Sequence, residues 1–276
     1  MFLRGILVAA SGFLFIFSPG LPIGLLARRS PAFKRELIYW GAGLWLVTLL
    51  PSIFIQSLLR QLLSGDQAPR ELTRQPVVFL QTLLGALLTA LFVQAAMALV
   101  MRRQRQDAGT LLANGMALGF GIGLVAQVFT GLNLIGAGYR LIYGDFSSTT
   151  TLSSLAEAKH LELLLGLLPL ILFRPALLLV SAVQGVLVAR AMREGFNFFW
   201  LAVLINVAFS WGALALQLAL GDENAGQVLL GATDPLASSV MIVYYILALL
   251  LAYRWLLTQM ACWSQVSSKS YKRKGS

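Results

Sequence analysis

The side chains able to do acid–base, nucleophilic or metal chemistry are few, and most lie outside the apolar stretches. The lone histidine, His160, sits between Glu157 and Glu162. Two carboxylates and one imidazole form a weak ion site at best, because zinc asks for three or four converging ligands. At the edge of an apolar run this trio reads as a solvated or capping cluster. Cys262 is the only cysteine, which excludes an internal disulfide and any cysteine-based metal cage. Tyr143-Gly144-Asp145 holds part of a Gly-x-Gly-Asp element, but Ile142 stands where its first glycine belongs. A second intramembrane aspartate to share a proton is also missing. The serines lack an intramembrane base to activate them.

What remains is neutral. Gln94, Asn114, Gln127, Ser181, Gln184 and Asn206 interrupt long apolar runs, and Thr130, Asn133, Ser210 and Gln217 add to them. Such groups cross-link helices at about 1 kcal/mol each. The alternative is a small polar cavity around Gln94, Gln127 and Asn206, with Arg174 and Ser181 as further candidates. A coupled carrier would ordinarily bury an Asp, Glu or His as well.

Composition dictates the elements that must position these groups. The chain has 276 residues, 58% hydrophobic and 12% charged, with mean hydropathy +0.79. Soluble domains run near 45–50% apolar and about 25% charged. A water-soluble globule of this size cannot hide so much apolar side chain. The expected architecture is an all-α polytopic membrane bundle, forming one integral domain over 1–263 with a disordered polybasic tail at 264–276. Nucleic-acid binding is not expected despite a net charge of +10, because the basic residues cluster in short loops between apolar runs.

A helix needs about 20 apolar residues to cross the hydrocarbon. Seven regions qualify: about 5–27, 37–59, 77–101, 111–135, a stretch within 161–191, 196–220 and 240–263. The fifth is ambiguous. Residues 161–173 are too short to cross, contain Pro169 and precede Arg174-Pro175. They form either a re-entrant or interfacial piece before the true span, or part of one tilted, kinked helix with Arg174 snorkelling outward. The loops at 28–35, 102–105 and 190–193 and the tail hold 13 of the 21 Lys and Arg, and the opposite loops hold six. The positive-inside rule then puts the N-terminus outside and the C-terminus in the cytoplasm of a prokaryotic plasma membrane. The acidic loop 221–239 falls outside. Arg4 alone precedes the first apolar run and no A-x-A cleavage site follows it, so the run is expected to be retained.

The fourth span carries Gly115, Gly119 and Gly123 at intervals of four, with Gln127 and Gly131 continuing the series. A dinucleotide loop would need a strand before such glycines. Residues spaced by four share a helix face, so the expectation is a close helix pair that meets one buried amide.

Segment order resembles the YhfC family of intramembrane metalloproteases, which is similar to the CAAX-protease group. The shared layout is a proline-containing first span, a basic loop and a second span with Gly41-Ala42-Gly43, followed by paired signature spans. The family's third span carries Phe-Glu-Glu-x-x-Arg, where this chain has Phe92-Val93-Gln94-Ala95-Ala96-Met97. The fourth carries Gly-x-Gly-His-Gly-x-x-Glu, against Gly119-Phe120-Gly121-Ile122-Gly123-Leu124-Val125-Ala126. The fifth opens Glu-Arg, here Phe173-Arg174, and Ser181 and Asn206 stand where later histidines fall. The framework glycines, Phe92 and Arg174 match, but the metal ligands and the base do not. The resemblance implies a non-catalytic relative without cofactor or metal, acting as an accessory, assembly, partner- or lipid-binding subunit. The expected partners are membrane lipids and other integral membrane proteins, and the glycine face could serve a homo-oligomer. The alternatives are an intramembrane metalloprotease with an unrecognised site, or a small-solute transporter.

Overall fold

A computed structural model describes residues 2–20, 23–24, 34–64, 75–103, 108–143, 160–219 and 235–274. Seven helices account for nearly all of them: α1 Phe2–Phe17, α2 Glu36–Ser64, α3 Gln75–Arg102, α4 Ala108–Tyr143, α5 His160–Glu194, α6 Asn197–Ala219 and α7 Pro235–Lys274. No strand occurs among the described residues. Five helical stretches are long and apolar enough to cross a membrane, while Phe2–Phe17 and Asn197–Ala213 are shorter apolar helices. Outward faces carry large apolar groups, with Tyr39, Leu50 and Leu251 each more than two-thirds exposed. Water would not tolerate such a continuous apolar surface, whereas lipid matches it. The chain is a helical membrane protein.

Two helices form the centre. In α4 and α5, 61% and 72% of the most apolar stretch is buried, against 22% in α2 and α7. Glycines explain why α4 can take that place, because three of its faces let a neighbour's backbone approach. Toward α5, a methyl built on Gly115 would meet the Gly185 carbonyl oxygen, and one on Gly119 the Ser181 carbonyl oxygen. One on Gly123 would stand 2.8 Å from the Leu178 Cα. These pairings run in opposite senses along the two helices, so α4 and α5 are antiparallel. Toward α1, Gly131 faces Gly12 and Gly138 faces Gly5. Toward α2, Gly121 faces Gly41 and Ile38. Phe120, Met116 and Leu118 fill the space between these contacts, fully buried.

The α5–α6 connection is a two-residue corner. Gly195 takes φ +132°, a region that residues with a Cβ rarely adopt. The Phe198 and Phe199 amides close the turn onto the Gly195 and Phe196 carbonyls at 3.2 and 3.1 Å. Phe196 stacks on Phe199 there, and Trp200 meets both rings edge to face. They form an aromatic collar of the kind that sits at a membrane–water boundary.

Of the two readings of 161–173 the continuous helix holds, since α5 runs unbroken from His160 to Glu194 through Pro169 and Pro175. Each proline removes one backbone donor, and packing on neighbouring helices compensates inside a membrane bundle. The tail is not irregular, because α7 continues to Lys274. No proline or glycine occurs between Pro235 and Gly275 to interrupt it. The first span does not continue as one helix to residue 27: α1 ends at Phe17, and Ser18-Pro19 form a turn. The acidic loop 221–234, Asp145 and Glu157 lie outside the described residues, as do the side chains of His160 and Glu162.

Candidate functional site

The five residues of the expected polar cavity do not meet in one place. Gln94 on α3 and Asn206 on α6 converge, but on Gln184 of α5 rather than on each other. The Gln94 Nε2 donates to the Gln184 Oε1 at 3.0 Å, and the Asn206 Nδ2 donates to the same oxygen at 3.2 Å. The Ser210 hydroxyl extends the chain by donating to the Asn206 Oδ1 at 3.3 Å. Gln94 is fully buried and Gln184 is 3% exposed. Helix geometry makes this junction possible. Gln184 stands three residues after Ser181, so both belong to the inward side of α5, and Gly185 beside it presses α4 close.

Gln127 lies elsewhere. Its Nε2 donates to the Ser18 Oγ at 2.6 Å, tying α4 to the point where α1 stops. Steps of four along a helix drift by about 40° each. That drift rotates Gln127 and Gly131 off the α5 side and onto α1, so they do not extend the Gly115–Gly119–Gly123 face. Ser181 is buried at the Gly119 crossing, where its backbone rather than its hydroxyl makes the contact.

Arg174 does not snorkel. It is 7% exposed, and its guanidinium lies over the Phe173 ring, 4.7 Å from the centroid. Phe173 stacks on Phe209 of α6 at 5.5 Å and meets Tyr245 of α7 at 5.2 Å. The Tyr244 hydroxyl donates to the Ala208 carbonyl at 2.8 Å and so pins α7 to α6 beside this aromatic group. Arg174 and Gln184 are ten residues apart on one helix, about 15 Å along its axis. They belong to two levels of the bundle. Arg190, nearer the other end, has partners: its Nη2 donates to Gln259 at 2.6 Å, its Nε lies 3.9 Å from Glu194, and it covers the Phe198 ring.

The chemistry open to the junction is narrow. Amides donate and accept hydrogen bonds but neither take nor release a proton near neutrality. Among the described residues, no group of three or more His, Cys, Asp or Glu is arranged to hold a metal ion. The junction suits helix cross-linking or a neutral polar ligand.

Gln184, the residue that joins Gln94 and Asn206, stood among the polar residues that interrupt the apolar runs but outside the expected cavity. The Ser181–Gln184 spacing was the available signal.

No protein-family model matches the chain, and no curated protein or solved structure matches it either. The fold by itself defines the class: a helical membrane protein built around a glycine-lined central pair.

Proposed function

We propose that this chain is a non-catalytic, YhfC-like integral membrane protein of a prokaryotic plasma membrane that works by binding. Its role is that of an accessory or assembly subunit which holds a lipid or another membrane protein. The observation that carries the reading is the amide junction. Gln94 and Asn206 stand where the resemblance puts a carboxylate and a histidine, and both hydrogen-bond to Gln184. Activating water requires a ligated metal or a titratable base, and three carboxamides supply neither. The experiment is purification in mild detergent with identification of accompanying proteins, lipids and metals. A stoichiometric companion is the expected result. One equivalent of tightly held zinc, or peptide cleavage by the reconstituted pure protein, would overturn the proposal.

A second reading, a small-solute carrier, draws on one observation. Helix α1 stops beside the buried Gln127, and interrupted helices next to polar groups mark transport sites in several carrier folds. Uptake lost in Gln127→Leu or Asn206→Leu, with folding intact, would favour it over the first reading.

A further inference from the structure

Arg174 carries a charge that the rest of the described structure does not balance. It is 7% exposed, and its Nε has no hydrogen-bond partner. No carboxylate among the described residues pairs with it; it lies over the Phe173 ring, and Tyr245 packs on that ring. A ring covers one face of the guanidinium and leaves the in-plane donors open. Arginine presents five N–H groups in a planar fork. An unpaired cation inside hydrocarbon is costly, and intramembrane charges are ordinarily paired.

The surroundings define what would complete it. Phe173, Phe209 and Tyr245 line the neighbourhood with rings. A planar fork matches an oxyanion, bound through two parallel charge-assisted hydrogen bonds. Depth favours an anion that carries its own apolar body. Arg174 is fourteen residues beyond His160, where α5 begins, or about 21 Å along the helix. A hydrated free ion would lose its water to arrive there, whereas a lipid brings the phosphate on a chain that already belongs in that layer.

We infer that Arg174 holds the phosphate oxyanion of an anionic lipid headgroup, beside the α5–α6–α7 aromatic cluster. This rests on the binding reading above and names its ligand class.

The test uses the full chain, purified in mild detergent and exchanged into nanodiscs of phosphatidylcholine with one-tenth phosphatidylglycerol. Lipid retained after re-extraction is quantified for wild type, Arg174→Gln, Arg174→Lys and the exposed-residue control Arg102→Gln. Wild type and Arg102→Gln retain phosphatidylglycerol preferentially. Arg174→Gln loses that preference by about tenfold or more, the scale of a lost charge-assisted pair, and Arg174→Lys keeps part of it. Should Arg174→Gln fold poorly, Arg174→Met replaces it, since removing an uncompensated buried charge is not expected to destabilise the lipid-free protein. Equal retention by wild type and the neutral variant overturns the inference, as does wild type with no preference. Displacement of the lipid by millimolar inorganic phosphate would reassign the site to a free anion and overturn the headgroup source. Zinc or proteolysis in the pure protein would remove the binding reading whatever Arg174 does, whereas unchanged retention in the variant removes this inference alone.

Discussion

Gly119 and Ser181 touch through their backbones: the place a methyl group would take on Gly119 is held by the Ser181 carbonyl oxygen. Neither a rotamer change nor a side-chain shift can make room there. Gly119→Ala is therefore expected to force α4 and α5 apart at about 1–3 kcal/mol, and Gly119→Val at more. Gly43→Ala and Gly136→Ala are the controls, because a methyl at either position meets open space. They should match or slightly exceed wild type, given the better helix propensity of alanine. Thermal unfolding in one detergent checks all four.

The amide junction predicts a non-additive pattern. Gln184→Leu leaves the buried Gln94 donor and the half-buried Asn206 donor without their acceptor and should cost about 1–3 kcal/mol. Replacing Gln94, Gln184 and Asn206 together by leucine removes the unsatisfied groups along with the bonds. That triple variant should lie closer to wild type than Gln184→Leu alone. A triple variant far less stable than the sum of its singles would deny the three side chains a common network.

Gly195→Ala tests the corner between α5 and α6. Alanine at φ +132° carries strain of about 1–3 kcal/mol. The variant should melt earlier without losing the amide junction, which lies more than two helical turns away on α5. Loss of stability no larger than that of an exposed-helix substitution would mean the corner relaxes freely.

Orientation is open to direct measurement. A fluorescent reporter fused after Ser276 should fluoresce, and alkaline phosphatase at the same position should stay inactive, because the basic loops favour a cytoplasmic C-terminus. The reverse pair of results would invert every loop assignment.

The long apolar runs made the helical membrane class readable from sequence, and the spacing of Gly115, Gly119 and Gly123 made one close helix face readable. Several features depended on what stands opposite. Gly131 continues the same spacing yet serves α1, since a helix turns slightly more than once in four residues. Arg174 snorkels or stays buried according to whether α6 and α7 cover it, which no local pattern encodes. Gln184 becomes the hub of the junction only once α3 and α6 both reach it. The continuity of α5 through two prolines was one of two open readings, because a proline's lost donor is tolerated or not according to the neighbouring helices. The helical tail escaped notice for a different reason: a charged, serine-rich end reads as unstructured, although nothing in it breaks a helix.

The three-sided slimness of α4 has a consequence for biosynthesis. Helices α1 and α2 leave the ribosome well before residue 143 does, and the flat strips they will press on do not yet exist. Until then their own small-residue seams, at Gly5, Gly12 and Gly41, face acyl chains or whatever companion the insertion machinery offers. Assembly of this protein is thereby gated by delivery of its middle. A truncation upstream of Gly121, which removes the partners of Gly41, Gly12 and Gly5 together, should leave the earlier segments as orphans fit for quality-control degradation.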